Sequence, residues 1–230
     1  MRCVKTIIPL LAFLLLAFVT LPLSADDKAK DEATLKNAAT VLQSMLTDKS
    51  IPPDVLSKAD CVIILPGVKK FAIGIGGSGG RGPMSCRGGA NFTGKWSAPA
   101  MFSIGGASAG LQLGGSSTDF VLLLMAPAAV DKVLSGKTKI GSDMTAAAGP
   151  TGATNAGSMG GADVLTYGKA KGAFAGISLS GASLEPDGDA NQRLYGKTIS
   201  AREIVVQSSV QPTPGGQVLV TDLNQIKKMK

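Results

Sequence analysis

The chain has 230 residues, a formal net charge of +7 and no histidine. The missing histidine removes the usual general base near neutral pH, the commonest metal ligand and the middle member of a Ser/His/Asp triad. The length suits one domain with a substantial core. We therefore expect a single domain that is not an enzyme and that binds neither a metal nor a cofactor.

The first 25 residues have the pattern of a secretory signal peptide. Arg2 and Lys5 precede an apolar run over residues 7–19, and a short segment ends at Ala25, before two aspartates. We expect cleavage after Ala25, which leaves a domain over residues 26–230 with charge +5, because the segment removed has two basic and no acidic residues. The alternative is an uncleaved anchor, although the run is shorter than the roughly 20 residues that span a bilayer.

Export would decide whether the cysteines can pair and which class of partner the chain meets. Cys61 and Cys86 remain after cleavage, and an oxidising compartment permits them to pair, the alternative being two separate buried thiols. A zinc site is excluded, since structural zinc normally takes four Cys or His ligands. A basic exported chain suits an anionic membrane surface better than nucleic acid, and its protein partners are unknown.

The N-terminal part of the mature chain predicts helix and then a buried strand. Apolar residues recur at spacings of three and four over residues 28–47, which is typical of an amphipathic helix. Pro52-Pro53 prevents its continuation, and residues 54–59 predict one further turn. Residues 61–65 then predict a buried strand that Pro66-Gly67 closes.

The middle of the chain is rich in glycine. Between Phe71 and Met125 lie 14 of the 30 glycines, in an apolar and alternating stretch. Repeated glycines in strands indicate bulges, tight bends or close backbone contact. We predict an α+β fold whose glycine-rich antiparallel sheet curves into a barrel-like or sandwich core. The candidate strands cover residues 71–76, 84–86, 100–104, 107–113 and 120–125.

The C-terminal half predicts shorter elements. Pro127 begins a helix that Ser135-Gly136 ends at residue 134. A second Gly/Ala stretch over residues 141–161 predicts strands with long turns. The remaining candidates are strands over 164–167 and 173–179, a helical turn over 190–195, an apolar segment over 201–206 and an amphipathic stretch through residue 226.

Three motifs suggest chemistry that their context does not support. Residues 74–79 read G-x-G-x-x-G, but a turn-rich segment follows instead of the helix that a phosphate site needs. Residues 76–80 match the G-x-S-x-G nucleophile elbow, whose serine has no histidine to activate it. Asp187, Asp189 and Asn191 alternate like calcium ligands, but the loop lacks the glycine and glutamate of an EF-hand.

A series of small-residue motifs over residues 35–209, in this order, resembles the SYLF domain family, also called the Ysc84-like domain. The pieces include Trp96-Ser97-Ala98-Pro99, residues 105–110, Gly149-Pro150-Thr151-Gly152 and residues 171–176. The resemblance implies binding of anionic lipids through basic residues and the amphipathic N-terminal part. Some eukaryotic members also contact actin, which an exported chain would not meet.

Eight basic residues are the predicted lipid contacts. Each basic residue near an anionic surface adds about 1 kcal/mol, on top of any apolar insertion. They are Lys28, Lys30 and Lys36 in the first helix, Lys58 after it, and Lys69, Lys70, Arg81 and Arg87 around the strand turns. The alternatives are that these charges only aid solubility and that the apolar stripe of the helix covers the sheet.

Two other functions remain as alternatives. One is a structural envelope or outer-membrane-associated protein without specific lipid recognition. The other is a hydrolase that uses carboxylates for acid/base work, although nothing marks two of the candidates as neighbours. Those carboxylates are Asp119, Asp143, Asp163 and Glu185.

Overall fold

The computed structural model describes residues 23–73, 75–89, 91–109, 114–150, 161–170, 173–174, 179 and 181–226. Most of the predicted signal peptide, the middle of the second Gly/Ala stretch and the last four residues lie outside these ranges.

Helices lie at both ends of the described part of the chain, and strands interrupted by one helix lie between them. The helices are α1 (Leu23–Thr47), α2 (Pro53–Leu56), α3 (Pro127–Leu134), α4 (Gly188–Tyr195), α5 (Ala201–Val205) and α6 (Pro214–Gln225). The strands are β1 (Cys61–Ile73), β2 (Ile75–Cys86), β3 (Ala100–Ala109), β4 (Gly114–Leu124), β5 (Thr138–Lys139), β6 (Ala146–Ala148), β7 (Val164–Ala170), β8 (Ala173–Phe174) and β9 (Ser183–Pro186).

All nine strands belong to one sheet that curls into a half-barrel, which confirms the predicted α+β class and curved sheet. The order is β5-β9-β3-β2-β1-β4-β7-β6, and β8 pairs with β7 outside this path. The pairs along the path are antiparallel as predicted, except that β6 lies parallel to β7. The short strand β9, which pairs with both β3 and β5, was not predicted.

The helices agree with the prediction better than the strands do. α1 is confirmed and begins a few residues earlier than expected, and α3 has the predicted bounds. α4 and α6 lie where a helical turn and an amphipathic stretch were predicted. Asp187 is the N-cap residue of α4, and its carboxylate accepts from the Ala190 N–H. The calcium-like alternation of polar residues is therefore the start of a helix.

The prediction that Pro66-Gly67 closes the first strand is wrong. β1 continues through both residues because they form a β-bulge against the single residue Asp119 of β4. Gly67 has a φ of +59° at this point, and its N–H donates to Asp119 Oδ1 at 2.7 Å. A bulge also tolerates proline, which has no N–H to donate to the ladder.

Residues 77–83, which were predicted to separate two strands as turns, lie inside strand β2, whose end at residues 84–86 was predicted as a strand. At Gly82, a Cβ would lie only 1.8 Å from the carbonyl oxygen of Ile64 in β1. Glycine is therefore required at this position so that β1 and β2 can approach closely. Predicted strands also merge: residues 100–109 form one strand, and β4 begins at residue 114 instead of 120.

Both faces of the central strands are buried. Residues 61, 63 and 65 of β1 belong to a core that packs against α3 and α5, and we call this side the α3 face. Residues 62 and 64 belong to a second core against α1, α2 and α6, which we call the α1 face. The sheet is therefore the middle layer of three, and β1 is apolar on both sides as a covered strand requires.

The apolar stripe of α1 covers the sheet. Five of its residues are at most 2% exposed: Leu35, Ala38, Ala39, Leu42 and Met45. The alternative that this stripe covers the sheet is therefore confirmed, and these side chains are not free to insert into lipid because they are already packed in the protein core. Within the described residues, every helix is too short or too polar to cross a membrane.

A disulfide joins two cysteines of neighbouring strands. Cys61 and Cys86 are directly opposite each other in the β1–β2 ladder, and both are fully buried. The structure thus answers the question of pairing that the sequence left open. The bond fixes the start of β1 to the end of β2, next to the segment that leads to Trp96.

Candidate functional site

Four charged side chains form a network that joins α1, β2 and α4. The fully buried carboxylate of Asp31 accepts from Arg81 Nη2 at 2.9 Å and from Arg193 Nε at 2.8 Å. Arg81 Nε also donates to Asp187 Oδ2 at 2.8 Å. Buried charges require paired and hydrogen-bonded partners of this kind. Arg81, a predicted lipid contact, is therefore engaged inside the domain.

Two predicted lysine contacts also have partners in the protein. Lys30 Nζ lies 2.6 Å from Asp26 and 3.2 Å from Asp27 in exposed pairs within α1. Lys70 Nζ lies 5.9 Å from the centre of the Phe120 ring on the α3 face. Successive strand residues point to opposite faces, so Lys69 lies on the α1 face. The structure thus places the adjacent residues Lys69 and Lys70 on opposite faces of the sheet.

The other predicted lysines are exposed. Lys69 pairs with Gly79, two residues before Arg81, and Arg81 reaches α1. Lys69 therefore shares the α1 side of the sheet with the lysines of that helix. No ion-pair partner is present within the described ranges for Lys28, Lys36, Lys58 and Lys69.

A cavity of about 210 Å³ lies where the segment after β2 meets the C-terminal part of α6. Arg87 and Trp96 form a β-bridge there, and the guanidinium Cζ lies 4.6 Å from the centre of the indole ring. The Trp96 backbone N–H donates to Asn224 Oδ1 at 3.3 Å, which joins this segment to α6. The side chains lining the cavity are Arg87, Thr93, Lys95, Trp96, Leu223 and Asn224.

Arg87 is unusual because it is a buried cation without a carboxylate in contact. It is 5% exposed, and its one side-chain hydrogen bond goes from Nη2 to the Ser57 carbonyl at 3.3 Å. Arg87 Nε and Trp96 Nε1 have no acceptor. Burial lowers the pKa of Arg87 and raises the pKa of Asp60, whose charge acts on Arg87 from outside the cavity lining.

The four carboxylates of the hydrolase hypothesis are not brought together. Asp119 and Glu185 lie in β4 and β9, four steps apart in the sheet, which is about 19 Å at the usual strand spacing. Asp143 accepts from the Lys139 N–H and Asp163 from the Thr145 N–H, and these bonds lower the pKa of both carboxyls. Each acts as a structural acceptor rather than as a general acid.

Sequence reasoning placed Arg87 among surface lipid contacts and missed the residues around it. Trp96 is the only tryptophan of the chain, and Lys95 directly precedes it. Asn224 and Leu223 come from α6, more than 120 residues later, so no local pattern connects them with Arg87. The available signal was an isolated tryptophan next to a lysine in an otherwise small-residue segment.

Comparisons with known proteins agree on one family. The model of the Ysc84 family, described as a Las17-binding protein actin regulator, matches residues 105–226. An SH3 domain-containing protein of Schizosaccharomyces pombe is 37% identical over 177 residues, covering 74% of this chain and 40% of that protein. LAS seventeen-binding protein 3 of Saccharomyces cerevisiae is 33% identical over 192 residues, covering 78% and 41%.

A vertebrate relative has a similar match. Human SH3 domain-containing YSC84-like protein 1 is 32% identical over 197 residues, covering 84% of this chain and 56% of that protein. The chain thus spans about half the length, or less, of the curated relatives that it matches.

Proposed function

The chain belongs to the Ysc84-like (SYLF) family, made up of binding and adaptor proteins rather than enzymes, and on that premise we propose that it binds anionic phospholipids. In this proposal it is exported, remains peripheral to a membrane of the cell envelope and catalyses no reaction. The protein partners named for the relatives are not transferred to it, since the match covers 40–56% of the relatives compared above.

The observation that supports this proposal is the set of exposed lysines on the α1 side. Lys28 and Lys36 are eight residues apart on α1, and Lys69 lies on the sheet face that this helix covers. None of the three has an ion-pair partner among the described residues. At about 1 kcal/mol each near an anionic surface, they supply roughly 3 kcal/mol without any apolar insertion.

Binding by charge is favoured over insertion because the apolar stripe of α1 is packed against the sheet. A charge-driven interaction weakens with salt, as the Debye length falls from about 10 Å at 0.1 M to about 3 Å at 1 M. Insertion of apolar groups lacks this sensitivity. Salt dependence therefore distinguishes the two mechanisms.

Export is compatible with the structure. Cleavage after Ala25 would remove three residues of α1, and the first buried residue among residues 25–47, whose burial is described, is Asp31. The cleaved domain therefore keeps the described core. Cell fractionation followed by intact-mass measurement tests this part, with an envelope fraction and a chain starting at Asp26 as the expected result.

The lipid proposal is tested by vesicle co-sedimentation of residues 26–230. More protein is expected to sediment with phosphatidylglycerol or cardiolipin vesicles than with phosphatidylcholine, and less as salt is raised. Replacing Lys28, Lys36 and Lys69 by Gln is expected to reduce partitioning by about 100-fold, from roughly 1 kcal/mol per lysine. Equal sedimentation with neutral vesicles, or none with either, contradicts the proposal.

A matched control separates a binding face from net charge. Lys132, Lys137 and Lys139 are exposed residues on α3, the following turn and β5, and α3 packs against the opposite face of the sheet. Their replacement by Gln removes the same charge. We expect this control to retain most vesicle binding, and an equal loss in both triple variants would show that no particular face binds lipid.

A further inference from the structure

We propose that the cavity beside Trp96 is a binding site for a phosphate-class oxyanion, distinct from the lysines of the α1 side. The oxyanion can come from a soluble phosphate ester or from a lipid headgroup, since both present the same group. The proposal rests on Arg87, Trp96 and Lys95, and it does not require the proposed lipid binding by α1 to be correct.

The donors in this cavity outnumber the protein acceptors that they meet. A guanidinium has five N–H donors, and the described structure shows one bond from the Arg87 side chain, to the Ser57 carbonyl. Arg87 Nε and Trp96 Nε1 have no acceptor, although both side chains are 95% buried. Buried donors are normally paired, but Arg87 and Trp96 each keep an unused donor beside the cavity, and the neighbouring Asp60 keeps an unpaired oxygen, Oδ2.

The charge at the cavity is only partly balanced, because Asp60 attracts Arg87 electrostatically but forms no ion pair with it. None of the ion pairs in the described structure includes Arg87, and its one charged neighbour, Asp60, does not line the cavity. Lys95 is exposed on the cavity wall. Two cations lining one cavity, Arg87 and Lys95, favour a ligand of negative charge.

The shape and chemistry fit a phosphate better than a simple halide. The volume of about 210 Å³ far exceeds the roughly 10–15 Å³ that one water molecule needs. Planar guanidinium groups bind phosphate oxygens through paired N–H donors, which a lysine cannot reproduce. Stacking on Trp96 holds the Arg87 guanidinium in one orientation, and Leu223 supplies an apolar wall for the carbon part of an ester.

Trp96 is the only tryptophan, so intrinsic fluorescence reports on this cavity alone. We would titrate residues 26–230 with inorganic phosphate and with glycerol 3-phosphate, using sodium chloride at matched ionic strength as a control. A second arm uses vesicles of phosphatidic acid in phosphatidylcholine against pure phosphatidylcholine. A saturable change with the soluble compounds identifies a soluble source, and a change confined to phosphatidic acid vesicles identifies a headgroup.

Variants decide whether the response comes from this cavity. Arg87→Lys keeps the charge but loses the paired donors, so apparent affinity is expected to fall by about tenfold or more. If circular dichroism shows that this variant is unfolded, the exposed Lys95→Gln provides the test, with a several-fold loss expected. Lys132→Gln is the control with the same charge change and should match the wild type.

The outcomes separate this proposal from the lipid proposal. The cavity site is overturned if the phosphates change the fluorescence no more than sodium chloride does. It is also overturned if Lys95→Gln and Lys132→Gln give identical responses to the phosphates. The variant with Gln at positions 28, 36 and 69 should keep the full fluorescence response to the soluble phosphates even where it no longer sediments with vesicles. Loss of the response in that variant would also overturn a distinct site beside Trp96.

Discussion

Gly82→Ala is expected to destabilise the domain strongly, because β1 and β2 approach too closely for a side chain. The new Cβ would lie 1.8 Å from the Ile64 oxygen, whereas ordinary contacts begin at 3.4 Å, so the strands must separate by about 1.6 Å. Such a shift breaks ladder hydrogen bonds nearby. Two or three lost bonds at about 1 kcal/mol each, plus overpacking, predict a loss of roughly 3–5 kcal/mol.

Gly79→Ala is the matched control in the same strand. A Cβ there has no atom within 4 Å, so alanine is tolerated and gains about 0.4–1 kcal/mol by restricting the unfolded chain. Urea unfolding followed by Trp96 fluorescence measures both variants. If the urea midpoint of Gly82→Ala equals that of Gly79→Ala, the argument from the close approach of β1 and β2 is refuted. A Gly82→Ala variant that fails to fold agrees with the argument.

Three further predictions concern buried charge, the disulfide and pH. Asp31→Asn leaves Arg193 without an ion pair and Arg81 with Asp187 alone, and since both arginines are partly exposed it should cost about 1.5–3 kcal/mol, whereas the exposed Asp26→Asn should change the urea midpoint little. Reduction of the disulfide, which closes a 25-residue loop, should cost about 3.5 kcal/mol, and an unchanged melting temperature in dithiothreitol would contradict this. Burial raises the pKa of Asp222 in the folded protein above its value in the unfolded chain. The folded protein therefore loses stability as the pH rises from the unfolded pKa through the folded pKa and Asp222 ionises. Asp222→Asn should therefore stabilise the protein at pH 7 but not near pH 3, and an equal effect at both pH values would contradict the assignment.

Local signals in the sequence were sufficient where neighbouring residues decide the structure. α3 has its predicted bounds because Pro127 favours the first helical position and Ser135-Gly136 ends the helix. The strand ending at Pro66-Gly67 was predicted wrongly because Pro-Gly normally stops a strand. Here a carboxylate 52 residues away, Asp119, accepts the Gly67 N–H and stabilises a bulge instead. No local pattern contains that partner.

The candidate sites show the same difference between what local sequence predicts and what distant contacts decide. The basic residues could be named from the sequence, but whether each one faces solvent depends on elements far apart in the chain. Arg81 meets Asp31 and Asp187, 50 and 106 residues away, and Arg87 stacks on Trp96 beneath α6. A charge that looks like a surface charge in the sequence thus becomes a structural ion-pair partner, as Arg81 does while its side chain stays 39% exposed, or a buried group, as Arg87 does.

Composition and periodicity by themselves determined the α+β class and the amphipathic first helix. The order of the small-residue motifs indicated the family. Those properties depend on local backbone preferences and on the spacing of apolar residues. Only the tertiary structure decided that the apolar stripe of α1 covers the sheet, that Gly82 permits close strand contact and that Arg87 and Trp96 share one cavity. Each of these results depends on which distant segments pack together, and burial, charge pairing and close approach exist only after that packing is complete.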